Sequence, residues 1–227
     1  MKGIAYGVGV GPGDPELITV KALRLIREAK VIAVPGRKAE ESVAYRIADA
    51  AAGGLEDKEL VAVYMPMVND REVIEEEHRK AADKLEEYLD MGKNAVFLTE
   101  GDPSVYSTFG YLRKILEGDG YTVETVPGVT SFCAAAARLG IPLAEWDEPL
   151  HILPAAHRTQ TPIDQPGTYV LMKTGRHMAE VRELLKDSGR DASAVENCGM
   201  EDEKVYRSAD EIPDAAGYFS LIIAKEK

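Results

Sequence analysis

The sequence contains few cysteines, a minority of basic residues and no long apolar run, and each of these shortages excludes a class of protein. Two cysteines among 227 residues, Cys133 and Cys198, cannot supply a disulfide framework and are typical of a reducing cytoplasm. No apolar stretch approaches the roughly 18 residues of a transmembrane helix, and residues 1–10 lack the features of a signal peptide. The 27 Lys and Arg residues stand against 39 Asp and Glu residues, so the net charge of −12 disfavours nucleic-acid and anionic-membrane partners. The sequence therefore predicts a cytoplasmic protein without nucleic-acid or membrane partners.

Metal-binding patterns are missing from the sequence as well. Its four histidines and two cysteines form no spacing that resembles a set of metal ligands. A chain of this length buries about 70% of its unfolded surface on folding, so its core needs no metal or disulfide. We therefore expect no metal site.

The first half of the sequence alternates short apolar runs with amphipathic segments. The runs are too short for helices, which predicts strands, and the segments between them repeat apolar residues at helical spacing. Strands and helices in this alternation form a parallel sheet, which binds ligands outside the carboxyl ends of its strands. The predicted strands are 3–8, 31–34, 60–63, 95–99 and 121–126. One predicted helix begins at Asp14-Pro15, and the other predicted helices cover 42–51, 70–89 and 106–117.

The second half of the sequence has more strands and fewer helices. Helices are predicted over 131–139 and 178–186, on either side of a proline-punctuated stretch at 141–166. The predicted strands are 151–153, 169–172, 194–196, 204–206 and 219–224. This composition indicates a mixed or antiparallel sheet. We therefore predict an α/β protein of two α/β domains, 1–124 with a mainly parallel sheet flanked by helices and 125–227 with a mixed sheet.

Three glycine-bearing loops follow predicted strands in the first half. The first loop, residues 7–17, reads GVGVGPGDPEL and leads into a helix start, where unpaired amides attract anions. It does not match the dinucleotide pattern G-x-G-x-x-G, because Pro12 and Asp14 stand where that pattern requires glycine. The second strand also does not end in the acidic residue that binds a ribose hydroxyl in dinucleotide-binding proteins. A P-loop is excluded at Gly92-Lys93, because Asn94 stands where that motif requires Ser or Thr. A tight structural turn remains the alternative interpretation.

The second loop, TEGDPSVY at 99–106, and the third, VPGVTS at 126–131, also carry groups suited to ligand binding. Gly101 lets a ligand approach the backbone, and Asp102 can accept hydrogen bonds or a proton. Thr130 and Ser131 place two hydroxyls at a helix start. Taken singly, the second loop could be an ordinary turn and the hydroxyls could be plain helix caps. The order of all three loops along the chain distinguishes a ligand-binding site from ordinary turns and helix caps.

In this order the loops resemble the tetrapyrrole methylase family, and the resemblance covers essentially the whole chain. The matching segments are GVGPGDPELIT at 9–19, EGDP at 100–103, VPGVTS at 126–131, YVLMKTG at 169–175 and ENCGM at 196–200. Residues 101–112 and 127–132 are most similar to the branch that methylates carbon 20 of precorrin-2 or cobalt-factor II in cobalamin (corrin) biosynthesis. The resemblance implies a homodimer that acts on a tetrapyrrole, with S-adenosyl-L-methionine bound in the cleft between the domains and S-adenosyl-L-homocysteine as product.

The resemblance also implies which residues bind the cofactor. These positions fall at predicted strand ends and helix starts, where unpaired backbone amides are available. They are Pro12, Gly101, Asp102, Val105, Thr130, Ser131, Met172 and Gly199. For an isolated Met172, packing in the core would be the alternative.

One departure from the family pattern narrows the activity. The family members that methylate uroporphyrinogen III carry an acidic residue just after the second strand. Here residues 34–38 read VPGRK, without a carboxylate. The departure weighs against a sirohaem-type activity and favours the carbon-20 assignment.

Catalysis and substrate binding require further groups. A proton must leave carbon 20 after methyl transfer, and we expect Asp102 to be the base, with Tyr106 or Tyr111 as its partner. The carboxylates of the substrate require cationic donors, although each candidate alone could be an ordinary surface charge. The candidates are Arg37, Lys38, Lys173 and Arg176, with His177 and His157-Arg158 close to them in the sequence.

Several alternatives remain open. The nearest is a methylase of the same family that acts at another corrin position. Diphthine synthase is a further relative, but residues 101–112 fit it less well. From a different class, the chain could be a non-catalytic nucleotide-binding module or an NAD-dependent oxidoreductase, and the failed glycine spacing argues against the oxidoreductase.

Overall fold

The structure, a computed structural model, describes residues 1–66, 68, 70–154 and 163–226. The chain divides into two units, Met1–Thr130 and Ser131–Lys227. The predicted boundary between 124 and 125 falls inside a strand, Thr122–Val126, that pairs with Ile4–Gly9 of the first unit. Among the described residues, no helix has the length and apolar character that crossing a membrane requires.

The first unit is a parallel sheet flanked by helices. Its strands are β1 (Ile4–Gly9), β2 (Val31–Pro35), β3 (Glu59–Val63), β4 (Ala95–Thr99) and β5 (Thr122–Val126). Its helices are α1 (Val20–Glu28), α2 (Val43–Ala52), α3 (Arg71–Asp90) and α4 (Phe109–Gly118). The strands lie in the order β3-β2-β4-β1-β5, and every pair of neighbours is parallel. The predicted parallel sheet is therefore confirmed.

Successive residues of the central strands face opposite sides of this sheet, so each strand contributes to two cores. In β2, Ile32 and Val34 belong to the core that contains residues of α1 and α2. Val31 and Ala33 belong to the core that contains residues of α3 and α4. Burial on both sides explains why these strands read as continuous apolar runs rather than as alternating sequences.

Two helix starts differ from the prediction. Asp14 caps only a 3₁₀ turn, Pro15–Leu17, through a hydrogen bond of 2.8 Å from the Glu16 amide. The helix α1 begins after Thr19, whose hydroxyl accepts a hydrogen bond of 3.2 Å from the Ala22 amide. The predicted opening of a helix at Asp14-Pro15 is therefore wrong, because the backbone is extended at Ile18 and Thr19.

The start of α4 also differs, whereas the start of α3 is confirmed. The helix α4 begins at Phe109 rather than at Tyr106, which has a positive φ of 48°. Asp70 caps α3 as predicted, since its carboxylate accepts hydrogen bonds from the Glu72 and Val73 amides.

The second unit is built on a mixed sheet, as predicted. Its elements are α5 (Ser131–Leu139), β6 (Leu150–Pro154), β7 (Thr168–Met172), α6 (Met178–Ser188), β8 (Asp191–Glu196), β9 (Lys204–Tyr206) and β10 (Ser220–Lys225). The strand order is β6-β7-β10-β8-β9, with β6 parallel to β7 and the other pairs antiparallel. Because β7 and β8 are both antiparallel to β10, their carboxyl ends lie at the same edge of the sheet.

Candidate functional site

The three glycine-bearing loops of the first unit meet at the carboxyl ends of β1, β4 and β5. Gly11 and Gly101 exchange backbone hydrogen bonds of 3.3 Å from the Gly11 amide and 2.7 Å from the Gly101 amide. A Cβ atom added to Gly9 would lie 2.5 Å from the Gly101 carbonyl oxygen, and one added to Gly128 would lie 2.2 Å from it. Close backbone packing therefore requires glycine here, and we call this meeting point the loop junction.

Asp102 links two loops of the loop junction. The residue is only 8% exposed, and one carboxylate oxygen accepts hydrogen bonds from the Ser104 hydroxyl and, at 2.7 Å, from the Ser104 amide. The other oxygen accepts a hydrogen bond of 3.0 Å from the Gly128 amide. Burial raises the pKa of this carboxyl, but the bonds from Ser104 and Gly128 outweigh it and hold the pKa below its usual range. The arrangement favours a link between loops over the predicted role as base, because a low pKa makes a weak proton acceptor.

The other predicted cofactor residues of the first unit lie in the same loops. Pro12 is buried in the first loop, and Val105 is half-buried with its amide donating to the Asp102 carbonyl at 3.2 Å. Thr130 is half-buried, and its hydroxyl oxygen is buried without a hydrogen-bond partner among the described residues. Such a hydroxyl is destabilising unless a ligand or a water molecule satisfies it.

The two predicted tyrosine partners of Asp102 have different surroundings. Tyr106 is 44% exposed and precedes α4, whereas Tyr111 lies on α4 and is 53% exposed. The Tyr111 ring stacks on the ring of His78 from α3, with centroids 4.8 Å apart. The described hydrogen bonds of the Asp102 carboxylate are to Ser104 and Gly128, and none of them is to Tyr111.

The buried His78 predicts a pH dependence of stability. The residue is 6% exposed, and burial lowers the pKa of its imidazole below the ordinary value of 6.5. The unfolded chain therefore binds this proton at a higher pH than the folded chain, so stability falls as the pH drops below about 6.5. We expect His78→Phe, which keeps a ring against Tyr111, to flatten the pH dependence of the melting temperature between pH 7.5 and 5. An unchanged slope in this variant would exclude His78 as the cause.

The two cations predicted to follow β2 have different partners. Arg37 and Lys38 are both exposed. The Lys38 ammonium pairs with the Glu41 carboxylate at 2.8 Å. The Arg37 guanidinium lies over the Tyr64 ring, with its central carbon 4.5 Å from the ring centroid. The charge of Lys38 is thus already neutralised by a neighbour, whereas no carboxylate of the described residues pairs with Arg37.

The predicted cofactor residues of the second unit lie at a strand end, in a loop and at a helix start. Met172 ends β7 and is half-buried, and Gly199 follows β8 at the same edge of the sheet. The Gly199 amide donates to the Glu203 carboxylate at 2.9 Å, so its carbonyl is the group left to contact a ligand. Ser131 is the first residue of α5.

Cys198, next to Gly199, is not an activated thiol. Burial and the charge of Glu203 raise its pKa to about 11, so it is protonated at neutral pH.

Lys173 follows Met172 with a positive φ of 58°. The side chain of Arg176 and both residues of His157-Arg158 lie outside the described part of the chain. No group of three His, Cys, Asp or Glu side chains in that part could hold a metal ion.

Residues 5–212 match the family of Tetrapyrrole (Corrin/Porphyrin) Methylases. The chain belongs to this family. It is 38% identical to the probable cobalt-precorrin-2 C(20)-methyltransferase of Methanocaldococcus jannaschii, and the match covers 97% of this chain and 95% of that protein. It is 32% identical to the cobalt-precorrin-2 C(20)-methyltransferase of Salmonella typhimurium, over 100% of this chain and 98% of that protein. The family predicted from the glycine-bearing loops is therefore confirmed.

A solved structure of the same family shares the fold of this methylase. Uroporphyrin-III C-methyl transferase from Thermus thermophilus, complexed with S-adenyl homocysteine, is 27% identical with a TM-score of 0.71. The match covers 98% of this chain and 92% of that chain. The predicted architecture of two α/β units is therefore confirmed.

Two contacts made by the candidate residues were not predicted from the sequence. The bond from the Asp102 carboxylate to the Gly128 amide joins residues 26 positions apart. The Arg37–Tyr64 contact joins the ends of two strands that are neighbours in the sheet. The predicted ends of β2 and β3, just before these two residues, were the only signal in the sequence that could have indicated their proximity.

Proposed function

We propose that this methylase transfers a methyl group from S-adenosyl-L-methionine to carbon 20 of precorrin-2 or of its cobalt form, in cobalamin biosynthesis. The observation that carries the proposal is the 38% identity to a cobalt-precorrin-2 C(20)-methyltransferase over nearly the full length of both chains. The 27% identical structure with S-adenyl homocysteine supports the choice of methyl donor.

The loop junction fits a cofactor of this kind. Gly9 and Gly128 pack against the Gly101 carbonyl too closely for side chains, so the backbones of the three loops are held together at this edge of the sheet. The buried hydroxyl of Thr130 lacks a partner among the described residues, and a polar group of the cofactor could satisfy it. We propose that the cofactor is held by Pro12, Gly101, Asp102, Val105, Thr130, Ser131, Met172 and Gly199, with Asp102 acting mainly by fixing the loops.

The fit at Thr130 can be tested by removing only its hydroxyl. We expect Thr130→Val to raise the Kd for S-adenosylhomocysteine about three- to tenfold, because one hydrogen bond is lost. The melting temperature of the cofactor-free protein should be unchanged or higher, since an unpaired buried hydroxyl is removed. Calorimetric titration and thermal melting measure the two effects. A lower melting temperature with unchanged affinity would show that the hydroxyl is a structural group.

In the proposed reaction, S-adenosylmethionine supplies an electrophilic methyl group, so the protein need provide neither a metal nor a covalent nucleophile. The residues of the chain would bind the two reactants and hold them in the orientation that methyl transfer requires. Asp102 is the remaining candidate for the base that takes the proton from carbon 20, although its low pKa weighs against it. Tyr106 and Tyr111 are the proposed partners, and Arg37, Lys38, Lys173 and Arg176 the proposed substrate contacts.

The direct test is incubation with methyl-labelled cofactor and precorrin-2, with and without cobalt, followed by NMR of the labelled product. Label on carbon 20 is expected. Label on another carbon would assign the chain to a different position of the corrin ring. Calorimetric titration with S-adenosylhomocysteine and with NAD distinguishes a methyltransferase from an NAD-dependent oxidoreductase. Tight binding of NAD alone would indicate the oxidoreductase.

The assembly and compartment are part of the proposal. We propose a homodimer in the cytoplasm, and the two free cysteines are consistent with a reducing compartment. Light scattering coupled to gel filtration should give twice the mass of one chain. The mass of a single chain would overturn the dimer without affecting the proposed reaction.

A further inference from the structure

Arg37 and Tyr64 form a cation–π pair at the carboxyl edge of the first sheet. Pro35 and Val63, the last residues of β2 and β3, are register partners, and the Gly36 amide donates to the Val63 carbonyl at 2.9 Å. This bond fixes the two strand ends side by side. The Arg37 guanidinium then lies 4.5 Å from the centroid of the Tyr64 ring, which is 38% exposed.

The charge of Arg37 is available to a ligand. Among the residues that the structure describes, no carboxylate forms an ion pair with Arg37, whereas the adjacent Lys38 is bound to Glu41 at 2.8 Å. Arg27, Arg46 and Arg207 also form no ion pair with a carboxylate among the described residues, so the contact with the Tyr64 ring is what distinguishes Arg37. In an acidic protein, a local cation that is left unpaired favours binding of an anion despite the net negative charge.

The ring of Tyr64 gives this cation a defined orientation. Arginine presents its donors in a planar fork that matches a carboxylate, and stacking on a ring occupies the face of the plane while leaving the edge open. Stacking also restricts a long side chain before the ligand arrives, which reduces the entropy lost on binding. A lysine at this position would lack the fork, and an isolated arginine would lack the restriction.

We propose that Tyr64 is a positioning residue that holds the Arg37 guanidinium as the receptor for one side-chain carboxylate of the tetrapyrrole substrate. This inference rests on the proposed function, since it takes the polycarboxylate precorrin-2 as the ligand. Arg37 lies at the same edge of the sheet as the loop junction, because β2 is the neighbour of β4 in the parallel sheet. The pair therefore contributes to substrate affinity and leaves cofactor affinity unaffected.

The test compares variants of Tyr64 and Arg37 by the Kd of precorrin-2 in the presence of S-adenosylhomocysteine, and by KM and kcat in turnover. Tyr64→Leu should raise Kd and KM about two- to fivefold, the effect of losing an exposed cation–π contact, with kcat unchanged. Tyr64→Phe keeps the ring and should retain the wild-type values. Arg37→Ala should raise Kd and KM about tenfold or more, because a charge-assisted hydrogen bond is lost. Arg24→Ala removes an exposed arginine that is paired with Glu28 at 2.8 Å, and should change nothing.

The double variant decides whether Tyr64 acts through Arg37. In an Arg37→Ala background, Tyr64→Leu should have no further effect, since the group that it positions is gone. A further loss of the same size, or equal losses in Tyr64→Phe and Tyr64→Leu, would overturn the positioning role. An unchanged Kd in Tyr64→Leu would overturn it with the proposed function intact. If wild-type protein binds S-adenosylhomocysteine but not precorrin-2, the proposed function and this inference both fail.

Discussion

Replacing Gly128 with alanine is expected to destabilise the protein and to weaken binding of S-adenosylhomocysteine. The new Cβ atom would lie 2.2 Å from the Gly101 carbonyl oxygen and 2.9 Å from the backbone of Gly9, so three loops would have to separate. Overpacking of this kind lowers the free energy of unfolding by about 1–3 kcal/mol and sometimes more. The backbone proposed to contact the cofactor moves with the loops, so we expect affinity to fall at least about tenfold, or below detection.

Gly118→Ala is the matched control for this variant. Gly118 lies in the last turn of α4 with no heavy atom within 4 Å of an added Cβ atom, so the same substitution meets open space. Alanine also favours a helix over glycine by up to about 1 kcal/mol, so stability should be equal or slightly higher. Chemical denaturation and calorimetric titration compare the two variants. Equal stability and equal affinity would show that the loops are not packed as tightly as the structure describes.

Much of the fold could be predicted because local signals and the final structure agree. The strand over 95–99 and the helix over 131–139 have the predicted bounds, since β4 is buried on both faces and α5 follows a clear turn. The helix start at Pro15 was wrong because two successive capping residues compete, and Thr19 rather than Asp14 caps the helix. Tyr106 is outside α4 because the preceding residues turn around Asp102, with the Val105 amide bonded to the Asp102 carbonyl.

The candidate site was predictable in part for a related reason. The loops after β1, β4 and β5 had to share one edge, because the carboxyl ends of parallel strands do so. Which loops touch depends on the order of the strands in the sheet, and local sequence patterns predict strands without predicting their order. In the order β3-β2-β4-β1-β5, β1 lies between β4 and β5, so Asp102 and Gly128 approach each other across the glycines of the first loop. The bond between Asp102 and Gly128 was therefore not predicted, although Asp102 itself was predicted both as a base and as a cofactor contact.

Asp102→Asn is expected to weaken both the fold and cofactor binding. If the amide oxygen keeps its bond to the Ser104 amide, the amide nitrogen faces the Gly128 amide, and two donors oppose each other. A hydrogen bond to a charged group contributes about 1.5–3 kcal/mol, so the free energy of unfolding should fall by about that amount. We expect the Kd for S-adenosylhomocysteine to rise about tenfold, because the second and third loops are no longer joined. Asp57→Asn, at an exposed carboxylate beside Lys58, should change neither value.

The pH dependence and the kinetics separate a loop link from a base. The folded pKa of Asp102 is lowered, so its stabilising contribution is present at neutral pH and is lost as the pH falls below about 4. The stability difference between wild type and Asp102→Asn should therefore shrink in acid. A base would give the opposite combination: melting temperature and cofactor affinity like wild type, with kcat at least about tenfold lower. If kcat at saturating cofactor changes less than affinity does, the carboxylate acts by joining the loops that hold the cofactor, and the proton from carbon 20 leaves by another group.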